Sequence, residues 1–248
     1  MIRFFFILIL ATNLYTAKAQ VKIHAHNDYS QPNPLTDALQ SRVFSLEADV
    51  FLVNDKLIVA HSLKETRKKK TLASLYIEPI IQLFRKNKGH ISEDSLYKTT
   101  LVIDIKQNGP DVLQYLIRTF EPLRSYFDRS LNPLAVQIII SGDRGPVSEW
   151  KNYPSYIYFD GRPFEEYDAE SIDKIAMISD NFYKYLSKTN TGDIEKIKEV
   201  VQKAIRINKP FRFWGSPDTE IVWKLLYDNG AAIINTDNPA ACRAFFKY

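Results

Sequence analysis

The stretch that decides the fold is Val21-Lys22-Ile23-His24-Ala25-His26-Asn27-Asp28-Tyr29, which we predict to be the first strand and the turn after it. A doubly wound open sheet needs a glycine-rich turn at this point, so that a phosphate can approach the backbone. This turn has no glycine, and the whole chain of 248 residues has only eight. The stretch therefore favours a closed (β/α)8 TIM barrel of the α/β class, with the open sheet as the alternative.

Outward from this stretch, short β-rich apolar runs alternate with segments whose apolar residues recur at helical spacing. This alternation predicts a parallel sheet, because each helix returns the chain to the same edge. The predicted strands are 21–25, 43–53, 100–105, 135–141, 156–159, 175–179, 211–214 and 231–235. The predicted helices are 74–85, 111–127, 193–207 and 218–228, and we expect Gly230 to close the last one.

Composition and charge exclude several classes of protein. The chain is 45% apolar and 25% charged, which are globular proportions. Its net charge of +4 is small and evenly spread, which argues against a nucleic-acid partner. The single cysteine, Cys242, excludes an internal disulfide and a cysteine-built zinc site.

Residues 1–19 are predicted to be a secretory signal, which leaves residues 20–248 as one barrel domain. Arg3 supplies the positive end, and Phe4 to Leu10 form an apolar run too short to span a bilayer. Ala17-Lys18-Ala19 is a small-x-small cleavage site. An uncleaved membrane anchor is the alternative, and we expect a secreted or periplasmic protein.

Polar residues two apart mark the carboxyl ends of three predicted strands, where barrel enzymes place their chemistry. These pairs are His24 and His26, Glu47 and Asp49, and Asp104 and Lys106. The three acids are expected to converge as oxygen ligands for a divalent cation, Mg²⁺ or Ca²⁺. The alternative is that each acid forms a salt bridge with a base at the barrel rim.

Two histidines near these acids are predicted proton carriers, because imidazole titrates near neutrality. They are His26 and His61, the latter directly after the apolar run 57–60. His24 lies one pleat deeper in the strand. It either takes part in the chemistry or is a packed, hydrogen-bonded core residue.

Further residues are candidates for substrate binding, each with a structural alternative. Lys106 either steadies a phosphate oxygen or forms an ion pair with one of the acids. Trp214 either walls the cleft or packs in the core, and Asp218 either binds substrate or caps the next helix. Outside this set, the basic run from Arg67 to Lys70 either attracts an anionic head group or membrane surface, or is a solvated loop face.

In order and spacing, these motifs resemble the phospholipase C-like phosphodiesterase superfamily. That superfamily includes glycerophosphodiester phosphodiesterases, phosphatidylinositol-specific phospholipases C and sphingomyelinase D-like enzymes. The matching segments are His26–Asp28 for His-Arg-Gly, Glu47–Asp49 for Glu-x-Asp, His61, Asp104–Lys106 for acid-x-Lys, Phe213–Asp218 for the aromatic strand, and Ile234–Pro239 for Thr-Asp-x-Pro.

The resemblance implies a TIM barrel that cleaves a small-molecule or lipid phosphodiester with the help of a divalent cation. It implies that Glu47, Asp49 and Asp104 hold that cation. It also implies that His26 and His61 act as general base and acid. Asn27 occupies the substrate-binding position at which the family has a phosphate-contacting arginine, and residues 33–35 replace the family's Glu-Asn-Thr.

Two other functions remain open from the sequence. A zinc amidohydrolase also begins with His-x-His on the first barrel strand, but it needs later histidines, and none follows His90. A non-catalytic secreted barrel that binds a phospholipid head group or a glycan is the second alternative. Binding alone gives no reason to place three acids and two histidines at strand ends.

Overall fold

The computed structural model describes residues 21–189 and 191–247, so the predicted signal at residues 1–19 lies outside the described residues. This part of the chain has nine strands, namely β1 Lys22–Ala25, β2 Ser45–Val53, β3 Lys56–Val59, β4 Thr100–Ile105, β5 Gln137–Gly142, β6 Ile157–Gly161, β7 Ile175–Asn181, β8 Phe211–Trp214 and β9 Ile233–Thr236. All except β3 pair in parallel around a ring, which β1 closes by pairing with both β2 and β9. The predicted TIM barrel is confirmed.

Helices cover the outside of the ring. They are α1 Thr36–Gln40, α2 Glu78–Lys86, α3 Gly109–Phe120, α4 Arg124–Phe127, α5 Ala169–Asp173, α6 Ile194–Arg206, α7 Glu220–Asp228 and α8 Pro239–Phe245. A π-helical turn, Ala73–Ile77, leads into α2, and short 3₁₀ segments occupy Asp28–Ser30, Leu63–Lys68, Glu121–Leu123, Val147–Asn152 and Phe182–Tyr185. Within the described ranges, no helix combines the length and the apolar character needed to cross a bilayer.

Two predicted helices differ from the observed ones, the first by an internal break and the second at its start. The predicted helix 111–127 is broken after Phe120, because Pro122 cannot donate a backbone hydrogen bond. The predicted helix 218–228 begins two residues later than expected, at Glu220, and Thr219 rather than Asp218 is its N-cap. Gly230 follows α7 with a φ of 93°, the left-handed conformation that was expected there.

The antiparallel strand β3 was not predicted. It pairs with the last four residues of β2, from Val50 to Val53, so this hairpin extends beyond Asp49. Asn54 and Asp55 form its two-residue turn with φ values of 48° and 55°. Positive φ at both turn residues is the geometry that matches the twist of a tight hairpin.

The barrel interior is filled in two layers. Its lower layer is apolar and contains Val102, Ile139, Met177 and Ile233. One pleat further along the same strands, Asp104, Ser141, Ser179 and Asn235 therefore point to the same interior. The upper layer is polar, and the barrel ends there in an open mouth rather than a sealed core.

Gly142, the last residue of β5, places its backbone against the β4 residues that carry the polar layer. Its φ is 72°, and a methyl group at its Cα would lie 2.2 Å from the Ile105 carbonyl oxygen and 2.8 Å from Asp104 Oδ1. Gly145, three residues later, has a φ of 65° and no atom within 4 Å of the same position. The two glycines thus share a conformation and differ in the space around them.

Gly142→Ala is expected to destabilise the protein more than Gly145→Ala. Both substitutions carry the left-handed strain of about 1 kcal/mol. Gly142→Ala adds a backbone clash of at least about 2 kcal/mol and displaces the Asp104 carboxylate. Urea unfolding measures both variants, and equal losses of unfolding free energy would contradict the close approach of β4 and β5.

Candidate active site

Strand register brings the three predicted metal ligands together. Glu47 and Asp49 lie on β2, Asp104 lies on β4, and Asp49 and Asp104 are direct partners in the β2–β4 pairing. One carboxylate oxygen from each residue lies within 4.8 Å of the others. Strand alternation points Glu47 and Asp49 to the same side, so the neighbouring strands converge on one spot as expected from the sequence.

Basic side chains contact one oxygen of each acid. Glu47 Oε2 lies 2.6 Å from His24 Nε2 and 3.1 Å from Arg212 Nη1. Lys106 Nζ lies 2.8 Å from Asp49 Oδ2 and 2.9 Å from Asp104 Oδ1. The ion pairs weighed as the alternative for Lys106 are therefore present. Asp49 Oδ1 is buried and has no hydrogen-bond partner in the described part of the chain.

Burial and crowding of negative charge shape the pKa values of these acids. Burial, together with the charge of Glu47, raises the pKa of Asp104 to about 6 and also raises the pKa of Asp49. Burial opposes ionisation of Glu47 as well, but its hydrogen bond with His24 and the charge of Arg212 hold its pKa well below the usual value. A cation bound among these acids would offset the repulsion between them.

Arg212 on β8 joins two buried acids across the barrel. Its Nη1 lies 3.1 Å from Glu47 Oε2, and its Nη2 lies 3.1 Å from Asp160 Oδ2 on β6. Asp160 also accepts hydrogen bonds from Ser141, at 3.0 Å, and from Ser179, at 2.7 Å. This network forms the polar interior layer and supplies the positive charge that the buried acids require.

His24 belongs to the same layer and is fully buried. Its Nδ1 lies 2.8 Å from Ser45 Oγ, and its Nε2 lies 2.6 Å from Glu47. Burial, aided by the charge of Arg212, lowers the pKa of His24 to about 4, so the ring is neutral at neutral pH. Of its two predicted roles, the structure matches the packed, hydrogen-bonded one.

His26 is held by an acid from the far end of the chain. Its Nδ1 lies 2.7 Å from Asp237 Oδ1, and among the described residues its Nε2 has no protein partner. Burial lowers the pKa of His26, but the hydrogen bond to Asp237 and the charges of Glu47 and Asp237 outweigh it and raise that pKa above its usual value. That hydrogen bond in turn lowers the pKa of Asp237.

His61 follows β3 and shares this arrangement. Its Nδ1 lies 3.1 Å from Asp49 Oδ2, and within the described residues its Nε2 has no protein partner. Its side chain is 65% exposed at the mouth of the barrel. In both histidines, therefore, Nδ1 lies beside a carboxylate, and Nε2 has no protein partner among the described residues.

One cavity of about 340 Å³ connects these groups. It is lined by His26, Glu47, His61, Asp104, Lys106, Ser141, Gly142, Arg162, Arg212 and Trp214. Trp214 walls the cavity, and its buried Nε1 has no hydrogen-bond partner in the described structure. Acidic and basic side chains thus line one cavity.

Two predicted substrate-binding residues lie outside the wall of this cavity. Asn27 has a φ of 48°, and its amide group lies 3.0 Å from His26 Nδ1 and 2.8 Å from the Tyr29 hydroxyl. Asp218 accepts hydrogen bonds from Trp223 Nε1 at 2.8 Å and from the backbone N–H of Asp237 at 3.0 Å. Asn27 therefore contacts His26 directly, and Asp218 contacts Asp237, the residue that holds His26.

Sequence reasoning missed Arg162, Arg212 and the role of Asp237 as the partner of His26. Arg162 follows β6 two residues after Asp160, which is the spacing that marked the other strand ends. The predicted strand stopped at residue 159, so this pair was not recognised. Arg212 was detectable as a charge between two phenylalanines of an apolar strand.

The fold and this cavity are those of a phosphodiesterase-like TIM barrel. The chain matches the family described as "AIM6-like phosphodiesterase domain" over residues 12–144, more than half its length, and it belongs to that family. The matched region contains the three acids, His26, His61 and Lys106. Arg162, Arg212 and Asp237 lie beyond it.

Similar proteins support the same family. "Altered inheritance of mitochondria protein 6 homolog" of Arthroderma benhamiae is 26% identical, over 91% of this chain and 84% of that protein. "Altered inheritance of mitochondria protein 6" of Eremothecium gossypii is 28% identical, over 90% of this chain and 69% of that protein.

Solved structures share the fold. A glycerophosphodiester phosphodiesterase from Parabacteroides distasonis aligns with a TM-score of 0.57 and 15% identity, over 92% of this chain and 97% of that one. Another from Agrobacterium tumefaciens aligns with a TM-score of 0.52 and 12% identity, over 90% and 99%.

Asp237→Asn is expected to lower the pKa of His26. The neutral amide no longer stabilises the imidazolium, so burial is opposed only by the charge of Glu47 and the pKa falls. The titration of the His26 ring Cε1–H signal by NMR measures this change, with His26→Gln to assign the signal. Asp55→Asn, at the exposed hairpin turn, is the matched control, and an unchanged His26 pKa in Asp237→Asn would contradict the pairing.

Proposed function

We infer that this protein is a metal-dependent phosphodiesterase that cleaves a glycerophosphodiester or a phospholipid head group. The observation that carries this proposal is that a cluster of three carboxylates, two of which line the cavity, meets two histidines with available Nε2 atoms and several basic side chains at that cavity. This set of groups suits a phosphodiester, because its cleavage is favoured by charge neutralisation and by proton transfer at the attacking and leaving oxygens.

Glu47, Asp49 and Asp104 would hold the divalent cation. The cluster of possible ligand atoms in the described part of the chain is made of carboxylates, which suit Mg²⁺ or Ca²⁺ better than zinc. The buried, unpartnered Asp49 Oδ1 also fits an ion in this position. When bound, such an ion supplies a positive charge for a non-bridging phosphate oxygen.

His26 and His61 would exchange protons with the substrate through Nε2. An ionised Asp237 keeps the proton of His26 on Nδ1, so that Nε2 is the atom that takes or gives a proton. Because its pKa is raised, His26 is the better candidate to protonate the leaving alcohol at neutral pH. His61 would then remove a proton from water or from a substrate hydroxyl.

Lys106 and Arg162 would bind the phosphate. Arg162 Nη1 is anchored to Ser179 Oγ and to Asp160 Oδ2, each at 3.1 Å. Among the described residues its Nε and Nη2 atoms have no partner, so these donors remain available at the cavity wall. The guanidinium can therefore take the part of the arginine that Asn27 replaces.

His26→Ala and His61→Ala are each expected to slow the hydrolysis of bis-p-nitrophenyl phosphate by about a hundredfold or more, the usual scale of acid–base catalysis. A chelator is expected to abolish turnover, and Mg²⁺ or Ca²⁺ to restore it. Calorimetric titration of Asp104→Asn should show weaker binding of the ion.

His90→Ala is the matched control, because His90 does not line the cavity, and its rate should equal that of the wild type. Full activity of both histidine variants, or turnover that ignores the chelator, would reject the assignment. Absence of turnover on every phosphodiester tested would favour a binding protein.

Arg162→Gln is expected to raise KM and the inhibition constant of inorganic phosphate by about tenfold to a hundredfold. This range corresponds to one charge-assisted hydrogen bond. Arg162→Lys should restore part of the loss, because it keeps the charge but not the planar group. The exposed Arg206→Gln is the control, and an unchanged phosphate affinity in Arg162→Gln would exclude a direct contact.

A further inference from the structure

A strongly basic segment lies beside the mouth of the cavity. We define the basic segment as residues 61–70, which begin at the cavity-lining His61 and contain five lysine or arginine residues, Lys64, Arg67, Lys68, Lys69 and Lys70. All five are exposed, and the acid within the segment is Glu65. Glu65 lies 3.5 Å from Lys68, an exposed pair that neutralises little of the charge.

The β2–β3 hairpin fixes the position of this segment. The backbone N–H of Val59 donates to the Lys70 carbonyl oxygen at 2.8 Å, and Ile58 forms a bridge with Thr71. A groove of about 460 Å³ separates the segment from the hairpin, and Lys56, Arg67 and Lys69 are among its lining residues. The charges are therefore held together on one side of the mouth.

Large apolar side chains are exposed around the same mouth. Leu63, Phe164 and Tyr183 are 57%, 65% and 63% exposed. Leu63 belongs to the basic segment, Phe164 follows the cavity-lining Arg162 by two residues, and Tyr183 lies beside Gly215, next to Trp214. Of the three, Leu63 lies within the basic segment itself, and an exposed apolar group beside clustered cations is typical of surfaces that meet a bilayer.

We propose that the basic segment, with Leu63 at its start, docks the protein on an anionic phospholipid membrane surface. Lysine and arginine residues near such a surface each strengthen binding about fivefold, and the effect extends over a Debye length. Exposed acids Asp218 and Asp237 lie near β9, on another part of the rim, so the protein would sit with the hairpin side towards the lipid. Docking in this way would bring the mouth to the head groups.

The proposal does not rest on the phosphodiesterase activity, since docking is measured by binding alone. The test is co-sedimentation of the full chain with phosphatidylcholine vesicles, with and without phosphatidylserine, at low and high salt. We expect binding that requires phosphatidylserine and weakens with salt. The variant with Arg67→Gln, Lys68→Gln, Lys69→Gln and Lys70→Gln should bind at least about tenfold more weakly, and Leu63→Ser several-fold more weakly.

A matched control removes the same charge at the opposite end of the barrel. It carries Arg85→Gln, Lys86→Gln, Lys88→Gln and Lys98→Gln, all at exposed positions near the end of α2 and before β4. This control has the same residues 1–20 as the wild type and an unchanged basic segment, so it should bind vesicles like the wild type. Both multiple variants should hydrolyse soluble bis-p-nitrophenyl phosphate at the wild-type rate, which separates docking from catalysis.

Three results would overturn the proposal. They are equal loss of vesicle binding in the two multiple variants, binding that does not depend on phosphatidylserine, and absence of vesicle binding together with binding to a soluble polyanion. The last result would assign the basic segment to an acidic macromolecule in place of a membrane.

Discussion

The guanidinium of Arg212 is the interaction on which the rest of the interior depends. It lies between the carboxylates of Glu47 and Asp160, and all three groups are almost completely buried. Two unpaired carboxylates in this position would each carry a desolvation penalty of several kcal/mol. The arginine neutralises much of that charge and, together with the hydrogen bond to His24, holds the pKa of Glu47 low at the base of the cavity in spite of its burial. A barrel with an apolar upper layer would avoid this desolvation penalty, but it would offer no side chains that could hold a cation.

Above this layer, positive and negative groups are divided between two walls. The acids on β2 and β4 form one wall, and Lys106 joins them by pairing with Asp49 and Asp104. Arg162 faces the same space from β6, with part of its guanidinium unpaired among the described residues. A cation and a phosphate diester together match this division, because the acids suit the ion and the bases suit the phosphate oxygens.

The chain departs from the superfamily pattern at the turn after β1, and the structure gives the reason. Asn27 has a left-handed conformation, which asparagine tolerates better than arginine does. Its amide contacts His26 and Tyr29, and the hydroxyl of Tyr29 lies 2.8 Å from Asp49. Asn27 and Tyr29 thus link His26 to the acidic cluster. Arg162, which directly follows β6, brings a guanidinium to the cavity wall.

The sequence by itself determined the barrel and most of the residues at its mouth. Alternation of strands and helices requires a parallel sheet, and residues two apart on a strand share one side, so Glu47, Asp49 and Asp104 were recognisable without coordinates. The partners of these residues were decided only by the tertiary structure. Asp237 meets His26 across 211 positions of the chain, and Arg212 meets Glu47 across 165. Such pairs depend on how the barrel closes and on the register of each strand, and local spacing contains neither.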